Sequence, residues 1–412
     1  MLDAYVAISP IDLTNNSLCV KVYDEDGNIY TINGEIGHRS FDSGKIYHVI
    51  GEAGISSEST GLPTIIINTP DNQDITSKEH WLEGYSSIAI INSDGSINYE
   101  ATDLAIKGRG NSSWKDYPKK PYALKLGSKA ELLGMKKHKR WCLLANWMDR
   151  TLLRNEVAFY IAKQTGLDWT PSGEYVELIL NGTHLGNYYL CEQIKVDKNR
   201  LNITEMKETD IDGDALTGGY LIEMDKNFDE KNKFLSEINH FPCMIKSPDD
   251  DIMQPSQLSY IQNYINSFET FLYSENWLES REYANYVDID SFVDWWFVYE
   301  LAMNGEPYHH KSCYFYKNRL GKLKAGPVWD FDFATFLPSS SEIFIVKSSL
   351  YYERLFCDPF FVNAVKNRWK TYKQKFDTVP SHIRKVATQI KKSCESNYKM
   401  WPLTGYPALV SG

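Results

Sequence analysis

The feature that most limits how this chain folds is a change of apolar periodicity near Pro255. Before it, short runs alternate apolar and polar residues between Gly, Asn, Asp and Pro, the pattern of half-buried strands and hairpins. After it, "PSQLSYIQNYINSFETFLYS" and "DIDSFVDWWFVYELAMN" carry apolar residues at helical spacing, with Asp288 or Asp290 placed to cap the second. A β-rich half followed by a helix-rich half implies an α+β protein, and the layout suits two lobes with a cleft between them.

Within the first half, "LCVKVYDEDGNIYTI" reads as a hairpin around Asp26–Gly27 and "SGKIYHVIG" as a further strand, together a small all-β module over residues 1–60. The main domain is expected over 61–412, with an N-terminal part at about 61–198, an insertion carrying one strand at about 199–254, and a C-terminal part at about 255–412. Turns are expected at Ser93–Ser96 and Asn181–Gly182, and a helix in "DRTLLRNEVAFYIAKQT". In the second half, "SCYFYK" and "KLKAGPVWDFDF" read as strands, and the rest from about Ser348 as helices.

Composition narrows the function classes. A formal net charge of −10 argues against non-specific nucleic-acid binding. No apolar run is long enough for a transmembrane helix. The opening "MLDAYVAISP" lacks the basic flank and apolar core of a signal peptide, which fits either a cytoplasmic protein or one that starts after a removed leader. Seven scattered cysteines include no CxxC pair, so neither a zinc site nor a disulfide framework is expected.

Three segments carry candidate chemistry. "GPVWDFDFATF" places Asp330 and Asp332 on one face of an expected strand, with Trp329, Phe331 and Phe333 on the other. "KGRGNSSW" is a donor-rich loop, either a phosphate cradle or an ordinary strand-to-turn junction. In "YALKL", Lys125 falls on the face opposite Tyr122, Leu124 and Leu126. If that face is inward, Lys125 needs an anionic partner, a phosphate or Glu156; if outward, it snorkels.

Together "IKGRGNSSW…YPKKPYALKL", "WCLLANWMDRTLLRN", "LGNYYLCEQIKVDKNRL", "GGYLIEMD" and "KSCYFYK…GPVWDFDFA" resemble the CotH kinase family, atypical kinases named after spore-coat protein H. The resemblance implies a divergent two-lobed protein-kinase-like fold with a β-rich N-lobe and a helical C-lobe. It also implies ATP-dependent phosphorylation with Mg²⁺ or Mn²⁺, Ca²⁺ being a further option. On that basis Lys125 holds the nucleotide phosphates and Glu156 orients it, while Arg109 and Asn111 lie in the loop over them. Glu192 and Gln193 fall near the adenine, Asp330 matches the metal-binding aspartate, and Asp332 supports it. Many family members carry an Asp as base and an Asn as second metal contact before the "YLY"-type strand. Here "NGEPYHHKSCYFYK" has no Asp, so Glu306 is the candidate base, and Ser312 stands about where that Asn is expected.

The leading function is therefore an ATP- and metal-dependent phosphotransferase acting on Ser or Thr of a protein whose identity the sequence does not give. A nucleotide-binding pseudokinase serving as a surface interaction protein is the alternative. A glycoside hydrolase using Asp330 and Asp332 is a third, though no βα repeat supports it. Relatives with an added β-module are often exported, so a secreted or surface-lipoprotein setting is expected, the cytoplasm staying open.

Overall fold

The computed structural model describes residues 60–336 and 343–402, together with the backbone of three earlier strands. Those strands, β1 (Ser17–Tyr23), β2 (Ile29–Glu35) and β3 (Ala53–Ser56), form an antiparallel sheet in the order β1-β2-β3. The expected first hairpin is thus present as paired strands. Its turn and the "SGKIYHVIG" segment lie outside the described residues.

Seven further strands close into a barrel. They are β4 (Thr64–Asn68), β5 (Ser86–Ile91), β6 (Ile97–Gly108), β7 (Tyr122–Leu132), β8 (Met135–Leu144), β9 (Gly173–Leu180) and β10 (Thr183–Glu192). The order round the barrel is β10-β8-β7-β6-β5-β4-β9, and the β4–β9 pair is its parallel seam. Both expected turns are where the sequence put them. Asn181 (φ 50°) and Gly182 (φ 76°) take the left-handed conformation that a two-residue hairpin needs. Between β5 and β6, Asp94 accepts the Ser96 N–H at 2.9 Å and Gly95 has φ 85°.

Alternation along the strands fills the barrel with Ile65, Ile88, Ile106, Leu124, Trp141 and Leu190 among others. The "WCLL" run of β8 does not alternate in polarity because both its faces are covered. Trp141 and Leu143 point inward, while Cys142 and Leu144 join the second core outside. Helix α1 (Arg154–Lys163) packs in that second core through Val157, Ala158 and Phe159.

The second core is built round a five-stranded antiparallel sheet, in the order β12-β13-β11-β14-β15. Its members are β11 (Tyr220–Met224), β12 (Lys233–Leu235), β13 (Pro242–Ser247), β14 (Cys313–Lys317) and β15 (Leu323–Ala325). The stretch read as an insertion with one strand therefore supplies three strands to this sheet. Its Asp, Lys and Asn content hid two short strands, which pair with each other as a hairpin and join the sheet through β11.

Four longer helices, besides shorter ones, belong to the described body: α2 (Pro255–Leu272), α3 (Ile289–Leu301), α4 (Pro359–Phe376) and α5 (Val379–Met400). Asp288 caps α3 by accepting the Ser291 N–H at 2.8 Å. From Ser291 to Glu300 every residue of α3 is buried, so it is the central helix of this half. The architecture is mixed α+β, with a β-rich body and a helical C-terminal region.

Candidate functional site

The segment after β15 is not the strand that its period-2 pattern predicts. From Gly326 to Phe336 the chain is irregular, and Asp330, Ala334 and Phe336 all have positive φ. A strand needs a ladder partner for its backbone groups. Here side chains from helix α1 and from the turn after α3 take that role. Asn155 Oδ1 accepts the Phe331 N–H at 2.9 Å, Asn304 Nδ2 donates to the Asp330 carbonyl at 3.1 Å, and Arg154 donates to the Asp332 carbonyl at 3.1 Å. Trp329 and Phe331 anchor the loop against Phe159, at 5.9 and 6.3 Å between ring centroids.

Asp330 is at φ 68°, a left-handed conformation that Asp tolerates better than most residues. That kink brings its carboxyl into hydrogen-bond contact with Asp332. Burial and then the neighbouring Asp330 push the Asp332 carboxyl well above the usual carboxylate range. Contact also removes the glycosidase geometry that a strand implied, because paired glycosidase carboxylates keep about 5 Å or more between them.

Three more groups meet this pair. Ser312, also left-handed at φ 51°, donates its hydroxyl to Asp330 Oδ2 at 3.0 Å and its N–H to Asp225 Oδ2 at 3.1 Å. Asp225 follows β11 and is buried; burial first, and the Asp330 charge among later causes, raise its carboxyl. Glu306 lies in a short turn beyond α3, only 4% exposed, and its carboxylate takes no hydrogen bond among the described residues. Burial, reinforced by Asp330, pushes it up to about 7.

An arginine occupies the facing wall. On the outer face of the barrel, Lys107 of β6 pairs with Ala123 of β7, which in turn pairs with Cys142 of β8. Beyond Lys107, the Arg109 guanidinium sits over the Trp329 ring at 5.5 Å. Burial opposes its charge, but surrounding groups, Asp330 among them, outweigh that and raise its pKa. Arg109 and Asp332 line one small pocket together with Ser113, Asn146 and Trp147.

The structure thus brings together Arg109, Ser312, Asp330, Asp332 and Glu306 of the expected site. Others are placed differently. Lys125 is on the outer barrel face, but its side chain is exposed. Glu156 does not pair with it: Glu156 Oε1 binds His382 Nε2 of α5 at 2.7 Å instead. Helix α1 therefore offers its glutamate to the C-terminal helix rather than to the strand lysine. Asn111 is exposed and accepts from Lys78 at 2.6 Å. Glu192 is buried in an ion pair with Arg200 at 2.6 Å, while Gln193 Oε1 is buried without a hydrogen-bond partner. Sequence reasoning missed Asp225, Asn304 and Arg154. The only signal for Asp225 was its position as the last residue of "GGYLIEMD", where a buried strand ends in an acid.

Among the described residues, no three His, Cys, Asp or Glu side chains are grouped to hold a metal by themselves. Asp330 and Asp332 with the Ser312 hydroxyl nevertheless fit a hard cation that takes its other ligands from phosphate and water. The orphaned Gln193 Oε1 at the end of β10 fits a donor on a ligand.

Barrel, second sheet and helical body define a mixed α+β protein with an acid-lined site facing an arginine. The family model described as "CotH kinase protein" matches residues 106–408, and the chain belongs to that family, which brings a kinase-like function with it. No curated protein matches the chain. No helix among the described residues is long and apolar enough to cross a membrane.

Proposed function

We propose that this protein transfers the γ-phosphoryl group of ATP to a Ser or Thr hydroxyl of a protein acceptor, the barrel and the helical half acting as the two lobes of a kinase. The observation that carries the reading is the convergence of Asp330, Asp332 and Ser312 opposite Arg109, in a chain of the CotH family. ATP with Mg²⁺ or Mn²⁺, or in their place Ca²⁺, supplies the phosphoryl group and the neutralising charge. Asp330 and Asp332 hold the cation, with Ser312 fixing Asp330. Arg109 and the exposed Lys125 bind phosphate oxygens, and Gln193 faces the base. Glu306 accepts the acceptor hydroxyl's proton; an acid titrating near 7 is suited to that task at neutral pH. An extracytoplasmic setting, secreted or at a bacterial surface, belongs to the same reading.

Binding without transfer is the second reading, and the replacement of the usual aspartate by Glu306 favours it. Thermal unfolding with ATP and Mg²⁺ or Mn²⁺, followed by radiolabel transfer from γ-labelled ATP, separates the two. A rise in Tm with label transfer supports the kinase, and a rise without transfer under any metal supports the pseudokinase. No nucleotide-dependent rise removes both.

A further inference from the structure

Two thiols lie near Arg109. Cys142 of β8 and Cys191 of β10 are direct partners in the antiparallel ladder, so their side chains leave the sheet on one side. Residues opposed in this way keep Cα atoms about 4.5–5.5 Å apart. Disulfides span roughly 4.4–6.8 Å between Cα atoms, so the ladder already holds the pair at bonding separation. Both are free, and 1% and 0% exposed. No other described cysteines oppose each other: Cys243 and Cys313 each pair with Met224 from opposite sides.

The two thiols are not equivalent. The hydrogen bond from Cys191, aided by Arg109, Arg140 and Arg200, brings Cys142 down to about 7 against its burial. Burial pushes Cys191 well up. The thiolate is favoured at Cys142, so the proposed step starts there.

We propose that Cys142 and Cys191 form a redox pair that a small hydroperoxide closes into a cross-strand disulfide, changing the surroundings of Arg109. The Cys142 thiolate attacks one oxygen of hydrogen peroxide, the O–O bond breaks, and the other oxygen leaves as water after taking a proton. The sulfur of Cys191 then attacks the resulting sulfenic acid, and its hydroxyl leaves as a second water with the Cys191 proton. Two thiols lose two electrons and one peroxide becomes two waters. A dithiol reductant reverses the step by exchange. The link itself follows from the ladder; its effect on ligand binding rests on the proposed function.

The test treats the folded full-length chain with hydrogen peroxide, alkylates the remaining thiols after denaturation, and maps peptides by mass. A Cys142–Cys191 peptide, absent after dithiothreitol, is expected. Peroxide is also expected to lower the Tm rise given by MgATP in the wild type and to leave it unchanged in Cys191→Ala. Cys142 recovered as free thiol or sulfinic acid, with no link to Cys191, overturns the pair. A link that leaves the MgATP-dependent rise intact overturns its coupling to ligand binding. Absence of any MgATP-dependent rise in reduced protein counts against the kinase reading alone, because the peptide map still decides the disulfide.

Discussion

The Ser312 hydroxyl donates to Asp330 Oδ2 at 3.0 Å while the Ser312 N–H binds Asp225, so one left-handed residue joins β11, β14 and the aspartate loop. This ties the orientation of the Asp330 carboxylate to the central strands of the second sheet. Asp330→Asn is expected to abolish the metal-dependent part of ATP stabilisation and to lower phosphotransfer by about 100-fold or more. Ser312→Ala keeps the ligand but frees its orientation, with an expected loss of about 10-fold, near one hydrogen bond's contribution. Thermal shifts with and without metal, and label transfer, read both.

Asn304 is the second support. Its Nδ2 reaches the Asp330 carbonyl and Thr335 Oγ1, and its Oδ1 takes the Glu306 N–H at 2.7 Å. One buried amide therefore holds the aspartate-loop backbone and the candidate base together. Asn304→Ala leaves several buried groups unpaired, each costing about 1–3 kcal/mol. The expected result in urea unfolding is a stability loss of at least about 2 kcal/mol, with activity falling further than stability.

What could be read from the sequence follows the range of the interactions involved. The hairpin turn at Asn181–Gly182 and helix α4 are local, and the structure has them where turn chemistry and periodicity put them. The Asp330 loop misled because its aromatics alternate as in a strand, while the groups binding its backbone come from Asn155, Arg154 and Asn304, far along the chain. The same holds for Glu156, whose partner His382 is on a helix more than two hundred residues away. Local pattern names residue types suited to a site; it does not say which of them long-range packing will pair.

Glu306 makes a pH test possible. Its folded-state value near 7 lies above the ordinary 4.5 of a glutamate, so between those values the folded protein binds more protons than the unfolded chain. Stability from this group is therefore present at low pH and is lost as pH rises through 7. In chelator, the wild type is expected to lose up to about 3 kcal/mol from pH 5 to 8 relative to Glu306→Gln. With metal and ATP, the wild-type rate is expected to rise through about pH 7, and Glu306→Gln to flatten that rise. A rate profile identical in the two proteins would remove Glu306 from the role of base.

Lys119 gives a prediction of opposite sign, away from the aspartate loop. It is 1% exposed, donates to the Asn187 carbonyl of β10, and reaches Asn397 Oδ1 of α5 at 2.8 Å, fastening the barrel to the C-terminal helix. Burial lowers its pKa to about 7, and Glu177 offsets that only in part. A neutral amine still has two N–H donors, so both hydrogen bonds survive deprotonation. From about pH 7 to the ordinary value of 10.5 the unfolded chain binds the extra proton, and stability rises with pH. Urea unfolding at pH 7 and pH 9 is expected to show the wild type gaining about 2 kcal/mol relative to Lys119→Met. Lys119→Met should itself lower stability at both pH values, because it strands the Asn187 carbonyl and Asn397 in a dry interface. If the gap between wild type and variant does not widen between pH 7 and 9, the lysine stays protonated in the fold, and Glu177 balances its burial fully.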